Sequence, residues 1–390
     1  MNPITLTGLT IWNGYEIVDA DAIRIEGEQI TAVGDGKSLQ KNSTRISCDG
    51  ATAIPGLIDA HVHLELNPEH KVAPERTDTN QDPQMAERAA AMARIGITTA
   101  RDLGGGAWLE LKLRDRINAG ELSGPRLICS GQPITSTRGH CHFWGGEAAN
   151  LEEAEKVLQR QVDHGVDLIK VMASGGRMTA GSDPRKAQFD VETLSAIVAA
   201  AHSHGLPVAA HCHGTEGIEV AALAGVNTIE HCSWVGKEGW ASDYQAPIAQ
   251  LILDRGIWVS PTVNKGWQRM LDSKDGSVLS RIRKAYVKML ELGIPFVAST
   301  DAGIPGIFHH ELPLALNVFS QIAELSPVET LRSATSNAAR ALGLDKQTGA
   351  LLPGLSADVV LLDGNPLTDL AALTSPVGVW TRGRNALPLP

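Results

Sequence analysis

Several features that define other protein classes are missing from this 390-residue chain. Cysteine is scarce: Cys48, Cys129, Cys141, Cys212 and Cys232 form an odd set without a CxxC pair. Such a set fits neither a disulfide framework nor a zinc ribbon. No run approaches the roughly 20 apolar residues of a membrane-spanning helix. The apolar stretch Ile197 to Ala201, for example, is soon broken by His202 and His204. Met1-Asn2-Pro3-Ile4-Thr5 lacks the basic and apolar regions of a secretory signal, so a cytoplasmic location is expected. Positive charge is in deficit, with 34 Lys and Arg against 44 Asp and Glu. Nucleic acid and anionic membrane both require a positive surface and are not expected partners. A G-x-G-x-x-G dinucleotide turn is absent, which argues against a doubly wound open sheet. No G-x-S-x-G nucleophile elbow is found either.

What remains is an ordinary folded composition, 43% hydrophobic and 20% charged. The length exceeds the roughly 250–300 residues at which one core stops growing, so a large domain plus a smaller one is expected. Residues 4 to 54 read as short strands (Ile4–Ile11, Ala22–Ile25, Ile30–Val33, Ala51–Ile54) parted by turn signals such as Asn13-Gly14. Ala357–Leu362 and Val377–Thr381 have the same texture. Between the two ends, eight apolar runs alternate with helical segments or long loops: Ile58–His63, Thr98–Asp102, Arg126–Ser130, Leu168–Ala173, Val208–His211, Thr228–His231, Trp258–Pro261 and Phe296–Thr300. Strands buried on both faces imply a parallel sheet, and eight βα units imply an α/β fold of the (β/α)8 TIM-like barrel kind. The expected division is a barrel over 56–349 and a small β-sandwich domain from 1–55 plus 350–390.

Chemistry-bearing residues gather at the C-terminal ends of these runs, the edge where catalytic groups converge in such a barrel. His61 and His63 are two apart and share a face of the first strand. His211 ends the fifth run, His231 the sixth and Asp301 the eighth. Lys170 ends the fourth, inside Leu168-Ile169-Lys170-Val171-Met172. Each has an ordinary alternative: a hydrogen-bonded loop histidine, a snorkelling lysine, a turn-capping aspartate. Together, imidazoles and a carboxylate at one edge suit zinc and similar divalent ions. An ammonium in an apolar strand beside metal cations is disfavoured by burial and by like charge.

The ordered set Asp59-Ala60-His61-Val62-His63, Lys170, His211, His231 and Asp301 resembles the amidohydrolase superfamily. Pro55-Gly56-Leu57-Ile58-Asp59, leading into the HxH, adds to the likeness, which spans nearly the whole chain. The resemblance implies two divalent metal ions. His61 and His63 would hold one with Asp301, and His211 and His231 the other. Lys170, carboxylated by carbon dioxide to a carbamate, would bridge them. Asp301 would take a proton from a metal-bridging hydroxide and pass it to the leaving group.

Asp167-Leu168-Ile169-Lys170-Val171-Met172-Ala173-Ser174-Gly175-Gly176 and Gly139-His140-Cys141-His142 are similar to the Xaa-Pro dipeptidase and imidazolonepropionase-like group. That likeness implies hydrolysis of the amide bond in a dipeptide or N-acyl amino acid, with His140 touching the substrate carbonyl; a plain loop role is its alternative. A free carboxylate calls for a cation, and Arg138, Arg177 and Arg185 are the candidates. The group's tyrosine near the second metal has only Tyr244 as a counterpart, which departs from the pattern. His213 is expected in a supporting or loop role, and Trp144, Trp234 and Trp267 as pocket walls. Carbamate, lactone or organophosphate ester hydrolysis is the alternative chemistry. Deamination is disfavoured, because the glutamate that related deaminases carry three residues after the strand-five histidine is Gly214 here. Non-enzymatic relatives usually lose ligands, and none is lost here. A homo-oligomer is compatible with the resemblance, although the chain carries no interface signature.

Overall fold

A computed structural model describes residues 2–70 and 82–387. The fold is mixed α/β, and two parallel sheets occupy its centre. One holds Leu57–Val62, Ile97–Asp102 and Arg126–Cys129 in that order. The other holds Ile169–Met172, Val208–Gly214, Thr228–Val235 and Trp258–Ser260. These strands are buried almost throughout, as parallel strands covered by helices on their outer face must be. The helices supply the cover through one apolar stripe each. In Leu151–Asp163 the buried positions Ala154, Val157, Leu158 and Gln161 follow the helical repeat, and Asn150 caps the start by accepting from the Glu153 N–H.

Single residues tie the two sheets together. Ile134 donates its N–H to the Lys170 carbonyl and accepts from the Met172 N–H, both at 2.8 Å. On the opposite flank Val297 donates to the Val259 carbonyl at 2.9 Å, and Ala60 donates to the Ala298 carbonyl at 3.1 Å. The run Phe296–Thr300, expected as an eighth strand, therefore makes isolated ladder bonds rather than a continuous strand. The cause lies in Asp59. Its Oδ1 takes the Thr300 N–H at 3.1 Å and its Oδ2 takes the Thr300 hydroxyl at 2.6 Å, so a side chain replaces the ladder carbonyl.

The two ends of the chain form two further sheets. One runs Gln29–Gly34, Ala22–Glu26, Ile4–Thr7, Thr44–Ser47; the other runs Arg384–Leu387, Pro376–Thr381, Val359–Leu362, Thr52–Pro55, Thr10–Ile11. They share a core that includes Leu6, Ile23, Ile25, Val359, Leu361 and Trp380. The expected strand Ile4–Ile11 is split at Gly8, whose φ of 79° and closeness to Asp49 exclude any side chain. Asp358 fastens this region to the central sheets: Oδ2 meets Arg126 at 3.1 Å and the Thr348 hydroxyl at 2.7 Å, while Oδ1 accepts the Arg382 N–H at 2.8 Å. Among the described residues, no helix is long and apolar enough to cross a membrane.

Candidate metal centre

The C-terminal edge of the parallel strands gathers two groups of side chains that could hold a metal ion. His61, His63 and Asp301 form one; His211, His213 and His231 form the other. Within each group the candidate ligand atoms lie within 4.8 Å of one another. In the first, Nε2 of His61 is 3.3 Å from Nε2 of His63, and Asp301 Oδ1 lies 3.3 and 3.4 Å from the two nitrogens. Three lone-pair atoms converging so closely without a proton donor between them suit a shared cation.

The outward nitrogens are already engaged. His61 Nδ1 pairs with Glu230 at 2.9 Å and His63 Nδ1 with the Gly104 carbonyl at 3.0 Å. His231 Nδ1 meets the Thr262 hydroxyl at 2.8 Å, and His211 Nε2 meets the Gly175 carbonyl at 3.2 Å. The carboxylate and carbonyl partners fix the tautomer, leaving Nε2 of His61 and His63 and Nδ1 of His211 as bare acceptors, and the Thr262 contact leaves His231 Nε2 free to face an ion. Burial keeps three of the rings neutral: it pushes His61 down to about 4, and His211 and His231 well below the ordinary histidine value. A neutral imidazole is the form that binds metal.

Lys170 lies between the groups, 1% exposed. Its charge is felt by His61, His211, His213, His231 and Asp301. No hydrogen bond or ion pair holds its Nζ among the described residues. Burial lowers its pKa to about 8. A buried, unpartnered amine whose charged form is disfavoured by burial fits the donor set of a metal site better as a ligand precursor than as a cation.

Sequence reading missed Glu230 and Arg101. Glu230 is fully buried; its Oε1 meets Arg101 at 2.7 Å and its Oε2 meets His61. Burial alone would raise its pKa, but Arg101 and His61 hold it below the usual carboxylate range. The signal was a charged residue inside the apolar strand Thr228–Val235. Adjacent strand residues normally face opposite ways, but His231 takes φ 65°, which lets Glu230 and His231 serve one site. Cys232, Trp234, Thr262 and Asp301 also have positive φ, between 49° and 59°. Backbone strain is thus concentrated at the ligand-bearing corners.

A cavity of about 300 Å³ opens above both groups. His140 lines it, with its Nδ1 buried and unpartnered and its ring centroid 4.6 Å from that of His211. Gly176 makes room for that ring, since a Cβ there would lie 2.4 Å from His140 Nε2. Arg177 lines the cavity with its guanidinium 5.1 Å from the Trp240 ring centroid. Trp144 and Trp267 are walls as expected; Trp240, Asn264 and Arg269 are walls the sequence did not reveal.

Other expected residues lie elsewhere. Arg185 is held by the Asp183 carboxylate at 3.0 and 2.8 Å, away from this cavity. Arg138 is exposed outside it, where its backbone N–H donates to Glu147 at 2.6 Å. Tyr244 packs on Trp234 at 5.1 Å, with the Lys288 ammonium over its ring. Trp234 itself is a core residue whose Nε1 donates to Met289 Sδ. His213, expected in a supporting role, stands inside the second histidine group.

Comparison with known proteins agrees with this geometry. The model of the amidohydrolase family matches residues 52–386. Ochratoxinase of Aspergillus niger is 27% identical over 432 residues, covering 98% of this chain and 86% of that protein. Imidazolonepropionase of Chloroflexus aggregans is 24% identical, covering 89% of this chain and 85% of its own length. A solved Xaa-Pro dipeptidase with methionine bound in its active site superposes with a TM-score of 0.87 at 25% identity, covering 98% of this chain and 99% of that one.

Proposed function

The chain belongs to the amidohydrolase family and is a hydrolase acting on carbon–nitrogen bonds, and from that premise we propose that it cleaves the amide bond of a dipeptide or N-acyl amino acid using two divalent ions. The observation that carries this reading is the buried, unpartnered Lys170 set between two groups of converging ligand atoms. His61, His63 and Asp301 would hold one ion and His211 and His231 the other. Lys170 Nζ, having added to carbon dioxide and lost a proton, would present a carbamate to both. Imidazole and carboxylate donors favour zinc. When bound, two such ions supply a hydroxide at neutral pH and polarise the scissile carbonyl.

The chain's own residues do the rest. Burial opposes the charged form of Asp301, but His61 and His63 beside it hold its carboxyl below the usual range, and an ion held there would do the same, so the carboxylate is ionised at neutral pH and can accept a proton at Oδ. It then delivers that proton to the leaving amine. His140, kept neutral by burial with a pKa of about 3, offers a ring N–H to the substrate carbonyl. Arg177, stacked on Trp240, is the cation placed to receive a substrate carboxylate in a two-pronged hydrogen bond.

The fold supports the reading. The bridges at Ile134, Val259 and Val62 favour one continuous (β/α)8 barrel over residues 56–349. The separate core shared by both chain ends favours a small sandwich from 1–55 plus 350–390. Five free, buried cysteines suit a reducing cytoplasm.

The test is a hydrolysis screen of the zinc-loaded enzyme, pairing dipeptides and N-acyl amino acids with analogues whose carboxylate is amidated or esterified. Cleavage that demands the free carboxylate is the expected result. Turnover only of carbamates, lactones or phosphoesters would keep the metal centre and discard the substrate class.

A further inference from the structure

We infer that His213 is a metal ligand, the third imidazole of a site whose other members are His211 and His231. The inference rests on the two-metal reading above and goes beyond its ligand set. Two of the chain's HxH pairs, His61-Val62-His63 and His211-Cys212-His213, stand at the end of a central parallel strand. Alternation puts both members of each pair on one face. Each pair is completed by one residue from another strand end: Asp301 for the first, His231 for the second.

The second group has the geometry of a common point. Ring centroids are 4.6 Å apart for His211 and His213, 4.6 Å for His211 and His231, and 4.5 Å for His213 and His231. The three rings form a nearly equilateral triangle. His140 also lies 4.6 Å from His211, yet it falls outside the mutually close group. Distance to one ligand therefore does not distinguish His213; closeness to both does.

His213 is also prepared as a ligand is prepared. Its Nδ1 pairs with the Ser233 hydroxyl at 3.0 Å, as His231 Nδ1 pairs with Thr262, so Nε2 is the ring nitrogen left free to face an ion. Its backbone N–H donates to the Ser174 hydroxyl at 2.9 Å, fixing the strand end. The ring is wedged between His231 and Trp240, with centroids 4.5 and 4.9 Å away, which removes rotamer freedom.

A consequence is that the two sites are unequal. Two imidazoles and Asp301 neutralise one unit of an ion's charge, whereas three neutral imidazoles neutralise none. An ion held by the His211 group would therefore be the stronger Lewis acid of the pair.

The experiment uses the cobalt(II)-loaded protein, comparing wild type with His213→Ala, His213→Cys and His211→Ala. Metal content and affinity are read by equilibrium dialysis, and the ligand sphere by absorption. Losing a mere supporting partner costs about 10–100-fold in metal affinity. His213→Ala is expected to weaken one of two equivalents by more than that. His213→Cys, shown to be folded by circular dichroism, is expected to show a near-ultraviolet thiolate-to-cobalt charge-transfer band absent from the wild type. A loss of 100-fold or less in His213→Ala, or no such band in folded His213→Cys, would overturn the inference. Failure of the underlying two-metal reading looks different: the wild type binds fewer than two equivalents, or His211→Ala still binds both at full affinity, and the inference falls with it.

Discussion

Oε2 of Glu230 stands 2.9 Å from Nδ1 of His61, a residue 169 positions earlier in the chain. The same carboxylate meets Arg101 through its other oxygen at 2.7 Å. One buried anion thereby fixes the tautomer of a candidate ligand histidine and neutralises a buried guanidinium. The geometry of the cavity depends on this pairing as much as on the ligands themselves.

Glu230→Gln should weaken binding at the His61 group by about 10–100-fold, because His61 loses its anionic partner. It should also destabilise the metal-free protein by about 3–5 kcal/mol, since Arg101 is left as an unpaired buried charge. Metal titration and denaturant unfolding measure the two effects separately. Unchanged affinity would show that Glu230 serves the fold alone.

The acid limb of stability should carry the same signature. Glu230 is held below the ordinary carboxylate range, first against burial and then by Arg101 and His61. A depressed carboxylate stabilises the fold fully above its unfolded value of about 4.3, and that stability is lost as pH falls further. The difference between wild type and Glu230→Gln, both metal-free, should therefore be largest at neutral pH and shrink below about pH 4. Parallel stability curves down to acid pH would contradict the assignment.

Asp301→Asn, assayed at saturating metal, should lower kcat by about 10²–10⁴-fold while changing KM by only a few-fold, the range expected for loss of a general base. Equal effects on both constants would remove its proton-transfer role.

Arg177→Met should raise KM for carboxylate-bearing substrates by about 10–100-fold, the equivalent of a lost charged hydrogen bond of about 1.5–3 kcal/mol. Arg185→Met should leave KM unchanged, because its guanidinium is committed to Asp183. Identical behaviour of the two variants would exclude Arg177 as the anchor.

A carbamate on Lys170 should appear as a single slow-exchanging carbonyl resonance when the metal-loaded protein is prepared in 13C-bicarbonate. Lys170→Ala should lack that resonance and bind about one ion in place of two. A full complement in the variant would defeat the bridging role.

How the sequence announced this site, and where it fell silent, has a physical explanation. His61 and His63 were legible because a period of two puts them on one face, and Lys170 because an amine interrupts an apolar strand. The Glu230–Arg101 and Asp59–Thr300 pairs were not, since each depends on the register between strands far apart in the chain. Loop residues were the hardest. Arg138, Arg177 and Arg185 look alike as letters, yet Asp183 two residues away claims Arg185, and Trp240, on a different loop, stacks with Arg177. His213 reads in the sequence only as a neighbour of His211, and it is the fold that sets its ring 4.5 Å from that of His231.

The pairing of Thr52–Pro55 with Val359–Leu362 sets a clock on the newborn chain. At roughly 5–20 residues per second, the later strand leaves the ribosome tens of seconds after the earlier one. Throughout that interval Ala53 and Ile54, fully buried in the finished protein, have no partner on that side. The central strands follow one another in order and need not wait. The nascent protein should therefore pass through a stage in which the His61 and His211 strands have formed while the N-terminal strands still present an open, sticky edge. That stage is where chaperone binding and aggregation would compete with completion of the fold.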